Sequence, residues 1–140
     1  MSEQHIVSSF DRDLEGIQAA VMKMGGIVEV ALSEAATALR TQDVELAEKV
    51  RLGDRLVDEL NQSVKTDAAS LLALRSPTAG DLRTVLSVME ISSHLERCGD
   101  YAKNISKRTI AMAGSVEIDD TLTALGRMSK FVEGMIKDAL

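Results

Sequence analysis

Ser76-Pro-Thr-Ala-Gly-Asp-Leu-Arg-Thr-Val-Leu-Ser-Val-Met-Glu-Ile-Ser-Ser-His-Leu-Glu-Arg-Cys-Gly-Asp-Tyr-Ala-Lys-Asn-Ile-Ser-Lys-Arg108 is the stretch on which the fold turns. Ser76 suits a helix N-cap, and Pro77 suits the first helical position, where its missing N–H costs nothing. No proline follows, so a helix from Pro77 to about Met112 is expected. Val88, Ile91, Leu95, Cys98, Ala102 and Ile105 recur in steps of three and four, the spacing of one buried stripe. A second face of the same helix begins apolar, at Leu82, Val85, Leu86 and Met89, and continues as Glu96, Asp100 and Asn104. Glu96 and Asp100 are spaced i, i+4, so their side chains point the same way one turn apart. Like charges so placed repel mildly unless a cation lies between them, and hard cations take oxygen ligands of this kind.

Upstream, Phe10, Leu14, Ile17, Val21, Met24, Val28, Ala31, Ala35 and Ala38 keep a 4-3 rhythm. They predict a first helix from Ser8 or Ser9 to about Arg40, after a frayed lead-in at Ser2 to Ser8. Gly25 and Gly26 interrupt it, each costing about 1 kcal/mol relative to Ala; close approach of a neighbouring helix is the expected reason. Thr41, Gln42 and Asp43 form a turn short enough to make its neighbours antiparallel. A second helix, about Val44 to Leu74, carries Leu46, Val50, Gly53, Val57, Leu60, Val64 and Leu71 as its seam. Asp54 and Asp58, again i, i+4, lie one step round from it. They read either as a solvated edge paired with Arg51 and Arg55 or as ligands facing Glu96 and Asp100. The same two readings, cation site or solvated edge, apply to Glu96 and Asp100.

Composition limits the function classes. The 140 residues are 45% hydrophobic and 27% charged, and only 2% aromatic with no Trp. A core of Leu, Ile, Val, Ala and Met favours helices over a sheet. A net charge of −6 argues against nucleic acid, which selects a basic footprint. One Cys excludes an internal disulfide and fits a reducing compartment. The N-terminus has neither the basic flank nor the apolar run of a signal peptide. No 18-residue uninterrupted apolar run predicts a membrane span. A cytoplasmic address is expected. His5 and His94 are far apart, Cys98 sits on the apolar stripe and reads as buried and inert, and no glycine pattern fits a phosphate loop. No enzyme is expected. A carboxylate-bridged di-iron enzyme would need Glu-x-x-His pairs, which the chain lacks.

The segments RSPTAGDLR and LERCGDYAKNI carry a resemblance: Pro77, Ala79, Asp81, Leu82 and Arg83, then Glu96, Arg97, Gly99, Asp100, Asn104 and Ile105 resemble the signature of the PhoU family, regulators of bacterial phosphate uptake and phosphate-starvation signalling. Cys98 stands where an aliphatic residue is expected. The family's metal motif, an acidic residue, three others and Asp, falls on Glu96 and Asp100. Asp54, Asp58 or Asn104 would complete a site for divalent or iron ions. The resemblance implies binding to a phosphate ABC transporter and a sensor histidine kinase. The alternative is a metal-binding or plain dimerisation bundle without a signalling role.

PhoU-like proteins consist of two tandem three-helix repeats, and the end of this chain fits that plan. Shifted by 108 positions, Ile118, Asp119, Leu122, Leu125, Val132, Met135, Ile136, Ala139 and Leu140 fall on Phe10, Asp11, Leu14, Ile17, Met24, Ile27, Val28, Ala31 and Leu32, with Gly134 on Gly26. The expected architecture is all-α: an antiparallel three-helix repeat over residues 1–112, then a linker at Ala111 to Val116 and the first helix of a second, truncated repeat within 113–140. No stop signal precedes Leu140, as in a fragment of a longer chain. The apolar side of that last helix is expected either to fold back over Leu82, Val85, Leu86 and Met89 or to pair with a second copy. The homodimer is the expected outcome.

Overall fold

The computed structural model describes residues 2–75, 77–115 and 119–140, with the side chains of residues 2–8 and of Asp119 excepted. Four helices follow one another: α1 (Ser2–Thr41), α2 (Val44–Leu74), α3 (Ala79–Ala111) and α4 (Asp119–Ala139). No strand occurs among the described residues. The first three pack mutually as an antiparallel bundle. α1 reaches back to Ser2, so the lead-in expected to fray is helical. The expected N-cap Ser76, the Val116 end of the linker and the Ile118 start of the last helix lie outside the described residues.

The turns follow from local chemistry. Gln42 adopts φ 54° at the end of α1, and its side-chain Nε2 donates to the Leu39 carbonyl at 2.9 Å. Asp43 caps α2 by accepting the Leu46 N–H at 2.9 Å. α3 starts two residues later than the proline suggested. Thr78 is its N-cap, its hydroxyl accepting from the Asp81 N–H while the Asp81 carboxylate accepts from the Thr78 N–H, a reciprocal pair that satisfies two otherwise orphaned donors. Pro77 therefore precedes the cap.

Met24, Val28, Val57, Val64 and Val85 are fully enclosed at the centre of the bundle. The seam of α1 matches the sequence reading closely. Ser9–Thr41 is long and apolar enough, by length and composition, to cross a membrane. Its apolar side is nevertheless buried against α2 and α3, the disposition of a core helix. The seams of α2 and α3 are each turned by one residue from expectation. α2 buries Ala47, Val50, Asp54, Val57, Val64, Ala68 and Leu71, in place of Leu46, Gly53 and Leu60. α3 buries Val85, Val88, Ser92, Leu95, Gly99, Ala102, Ser106 and Thr109, which leaves Ile91 43% exposed and Cys98 only half-buried.

Small and polar residues at the true seam cause both rotations. Ser92 donates to Asn61 Oδ1 at 2.9 Å and lies 3.5 Å from Met24 Sδ. Gly99 has no side chain where α2 crosses: a Cβ there would stand 3.1 Å from Asp54 Oδ1 and 3.2 Å from Val57 Cγ1. Helices approach closely at such positions, and apolar counting does not register them.

α4 folds back on its own chain, but along α1 and apart from α2 and α3. Leu82 and Leu86, one of its two expected supports, remain exposed, and Val85 belongs to the core. Ile136 packs against the bundle core. Leu140 lies on Gly25, so closely that any Cβ at Gly25 would displace it; Gly26 faces open space. At the glycine pair, where a neighbouring helix was expected to approach, the contact is made instead by the Leu140 side chain, just past α4, and at Gly25 alone.

Two glycine substitutions test this packing in opposite directions. Gly99→Val should destabilise the protein by about 1–3 kcal/mol through overpacking. Gly53→Ala, on the exposed side of α2 with nothing near its Cβ, should stabilise it by about 0.5–1 kcal/mol. Urea denaturation measures both.

A candidate carboxylate site between α2 and α3

The rotated seams carry four carboxylates to one edge of the α2–α3 contact. Asp54 replaces an apolar residue in the α2 seam and is only 6% exposed. Asp58 lies one turn on, at the exposed edge. Glu96 and Asp100 flank Gly99 on α3 and are half-buried. All four residues that the sequence singled out as ligands therefore lie along the same edge, and each of Asp58 and Glu96 senses the charges of Asp54 and Asp100. Asn104, the further possible ligand, is exposed.

The sequence reading missed the group that organises them. Lys103 Nζ lies 2.5 Å from Asp54 Oδ2 and 2.8 Å from Asp100 Oδ1. The signal was available: Lys103 follows Asp100 by three residues, on the same helix face. Arg51 and Arg55, expected partners of Asp54 and Asp58, turn instead to Glu48 at 2.5 Å and Glu59 at 3.3 Å. Asp54 Oδ1 is buried without a hydrogen-bond partner. Among the described residues, no three His, Cys, Asp or Glu side chains are gathered in a group ready to hold a metal. His94 is exposed and lies 3.7 Å from Glu90.

The electrostatics follow from this arrangement. Burial, and then the charge of Asp100, pushes the Glu96 carboxyl above the usual range. Burial, and then Asp54, does the same to Asp58. Asp100 moves down, held chiefly by the hydrogen bond from Lys103, and Lys103 moves up through Asp100 and Asp54. Burial raises the Cys98 thiol, which keeps it protonated and unreactive although it is not fully enclosed.

A carboxyl whose folded pKa exceeds its unfolded one costs stability when charged, and the cost disappears as pH falls below the unfolded value. One held low contributes stability above its unfolded value and loses it as pH falls through the lowered value. Glu96→Gln should therefore stabilise the metal-free protein at pH 7 by about 0.2–0.5 kcal/mol, the size of an i, i+4 repulsion. That gain should vanish below the ordinary Glu value of 4.5. Asp100→Asn should destabilise at pH 7, and its deficit should close on acidification. Thermal unfolding across a pH series in chelator reads both signs.

The sequence and the fold are similar to those of known proteins. Residues 21–109 match the family model described as the PhoU domain. The chain is 38% identical over 137 residues to the phosphate-specific transport system accessory protein PhoU homologue of Caulobacter vibrioides, covering 98% of this chain and 60% of that protein. It is 36% identical over 137 residues to the PhoU accessory protein of Escherichia coli, covering 98% of this chain and 56% of that one. The crystal structure of PhoU from Pseudomonas aeruginosa superposes with a TM-score of 0.89 at 29% identity, over 93% of this chain and 62% of that chain. That of the phosphate transport system regulatory protein PhoU from Streptococcus pneumoniae gives 0.82 at 30% identity, over 92% and 60%. The chain thus spans about three-fifths of the length of these relatives. With the family model lying across α2, nearly all of α3 and the second half of α1, and with the carboxylate edge inside the matched residues, the chain belongs to the PhoU family.

Proposed function

We propose that the protein is a regulator of phosphate uptake and phosphate-starvation signalling that acts by binding a phosphate ABC transporter and a sensor histidine kinase. The observation that carries this reading is the agreement, at a TM-score of 0.89, with a PhoU crystal structure across 93% of the chain. Long helices with continuous exposed faces are suited to helix-mediated docking. Leu52 and Leu56 on α2, and Leu82 and Leu86 on α3, place large apolar groups on such faces. The role is one of binding, without catalysis, and its setting is the cytoplasm. Co-purification with the transporter's cytoplasmic subunits and with the kinase tests it. Capture of both supports the role; failure to capture either, by folded protein, leaves a metal-binding or plain dimerisation bundle.

In this reading Glu96, Asp100, Asp54 and Asp58 form a site for a divalent or iron ion. The donor set fits a hard cation: four carboxylates from two helices, one buried oxygen without a partner, and two carboxyls pushed up by burial and mutual charge. A bound ion would supply positive charge that ties α2 to α3. Titrating metal-free protein should raise its melting temperature, and Asp100→Asn should weaken that shift. Equal shifts in the two proteins would refute the site.

The protein in solution is a homodimer through α4. That helix covers α1 with one side and leaves Met128, Phe131 and Met135 on the other, at 62%, 74% and 71% exposure. Between α4 and α3 lies an apolar groove of about 520 Å³, floored by Leu32 and Leu39 and walled by Tyr101, Ile105, Leu125 and Val132. The residues Ile17, Met24 and Val28 of α1, which α4 repeats as Leu125, Val132 and Ile136, are covered by neighbouring helices. A second copy's α4 supplies a ridge of matching character. Light scattering should give twice the chain mass for wild type and a monomer for Phe131→Asp. A wild-type monomer at high concentration would overturn the dimer.

A further inference from the structure

Lys103 stands between two of the four carboxylates at this edge. Its ammonium bridges Asp54 Oδ2 on α2 and Asp100 Oδ1 on α3 at 2.5 and 2.8 Å. These distances approach those at which a large divalent ion is held by carboxylates. The side chain is a flexible tether, 25% exposed, and reaches the edge from one turn beyond Asp100. Among the described residues neither Asp58 nor Glu96 forms an ion pair, and Lys103 pairs with two of the four carboxylates, Asp54 and Asp100. The remaining Asp54 oxygen is buried and unpartnered. Asp54 and Asp100 turn an oxygen each to the ammonium, and among the described residues no three ligating side chains gather around one point.

We propose that Lys103 is a tethered counter-ion whose ammonium and a divalent cation exclude one another between α2 and α3, so that Lys103 sets the ion concentration at which the site loads. This deepens the cation-site reading and rests on it. Two positive centres cannot share Asp54 and Asp100 at contact distance without strong repulsion. Loading therefore requires the lysine to swing outward, which its length and partial exposure allow. A cluster without such a resident charge would be unstable when metal-free, because Asp54 would be buried without any partner. The lysine thus keeps α2 and α3 together in the empty state and raises the threshold for the filled one.

The experiment is isothermal titration of wild type, Lys103→Met and Lys103→Arg with Mg²⁺, Mn²⁺ and Zn²⁺ chlorides at fixed ionic strength, with melting temperatures in chelator alongside. Lys103→Met should melt lower than wild type in chelator, recover on adding metal, and bind at least about tenfold more tightly, since a like charge has been removed from the site. Lys103→Arg should behave as wild type. Lys103→Gln removes the charge but keeps a donor for Asp54, and takes the same test if the Met variant does not fold. Equal affinity in wild type and the uncharged variants overturns the role of Lys103 and leaves the cation site standing. Absence of binding in all of them overturns both.

Discussion

A glycine and an aspartate fix how closely α2 and α3 can lie. Gly99 presents only backbone to α2, and Asp54 takes the space a side chain would fill, with its Oδ1 against α3 and its Oδ2 on Lys103. A buried carboxylate is costly unless a charge partner and good hydrogen bonds offset its desolvation. Lys103 provides the partner, and Asp100 fixes the lysine from its own helix. Because the bundle turns α3 so that Gly99 faces inward, Glu96 and Asp100 are set at the rim beside it. Fold and site thus share one cause.

The sequence made much of this legible, and the unread part has a common origin. Helix number, turn positions and the α1 seam follow from apolar periodicity, because α1 buries Ile17, Val21, Met24 and Val28, residues any hydropathy count registers. The α2 and α3 seams are another matter. Their inward positions include Asp54, Asn61, Ser92, Gly99 and Ser106, which apolar counting treats as surface. Substituting Gly53, Leu60, Ile91, Cys98 and Ile105 for those residues gives a plausible stripe turned by one step. Val88, Leu95 and Ala102 belong to both stripes, so the error is invisible from apolar spacing alone.

Glu96 and Asp100 stood out through spacing and the family motif, Asp54 and Asp58 through spacing alone. Lys103 did not, since its role depends on which helix faces it, and that depends on the rotation just described. The apolar rhythm that α4 shares with α1 was similarly legible as pattern but not as packing. α4 carries the same apolar rhythm, yet one side lies along α1 with Leu140 on Gly25, and the other has no partner among the described residues. Periodicity marks a helix's apolar positions; which neighbour covers them is a property of the assembly.

The contact of α2 with α3 depends on Asp54 and Lys103 acting as one unit. A double-mutant cycle on folding stability, with Asp54→Asn, Lys103→Met and the pair together in chelator, measures this most directly. The coupling should be about 1.5–3 kcal/mol, the range for a hydrogen bond to a charged group, and the double variant should be more stable than Lys103→Met alone, because it no longer buries an unpaired carboxylate. Additivity to within about 0.5 kcal/mol, as for independent sites, would contradict the account.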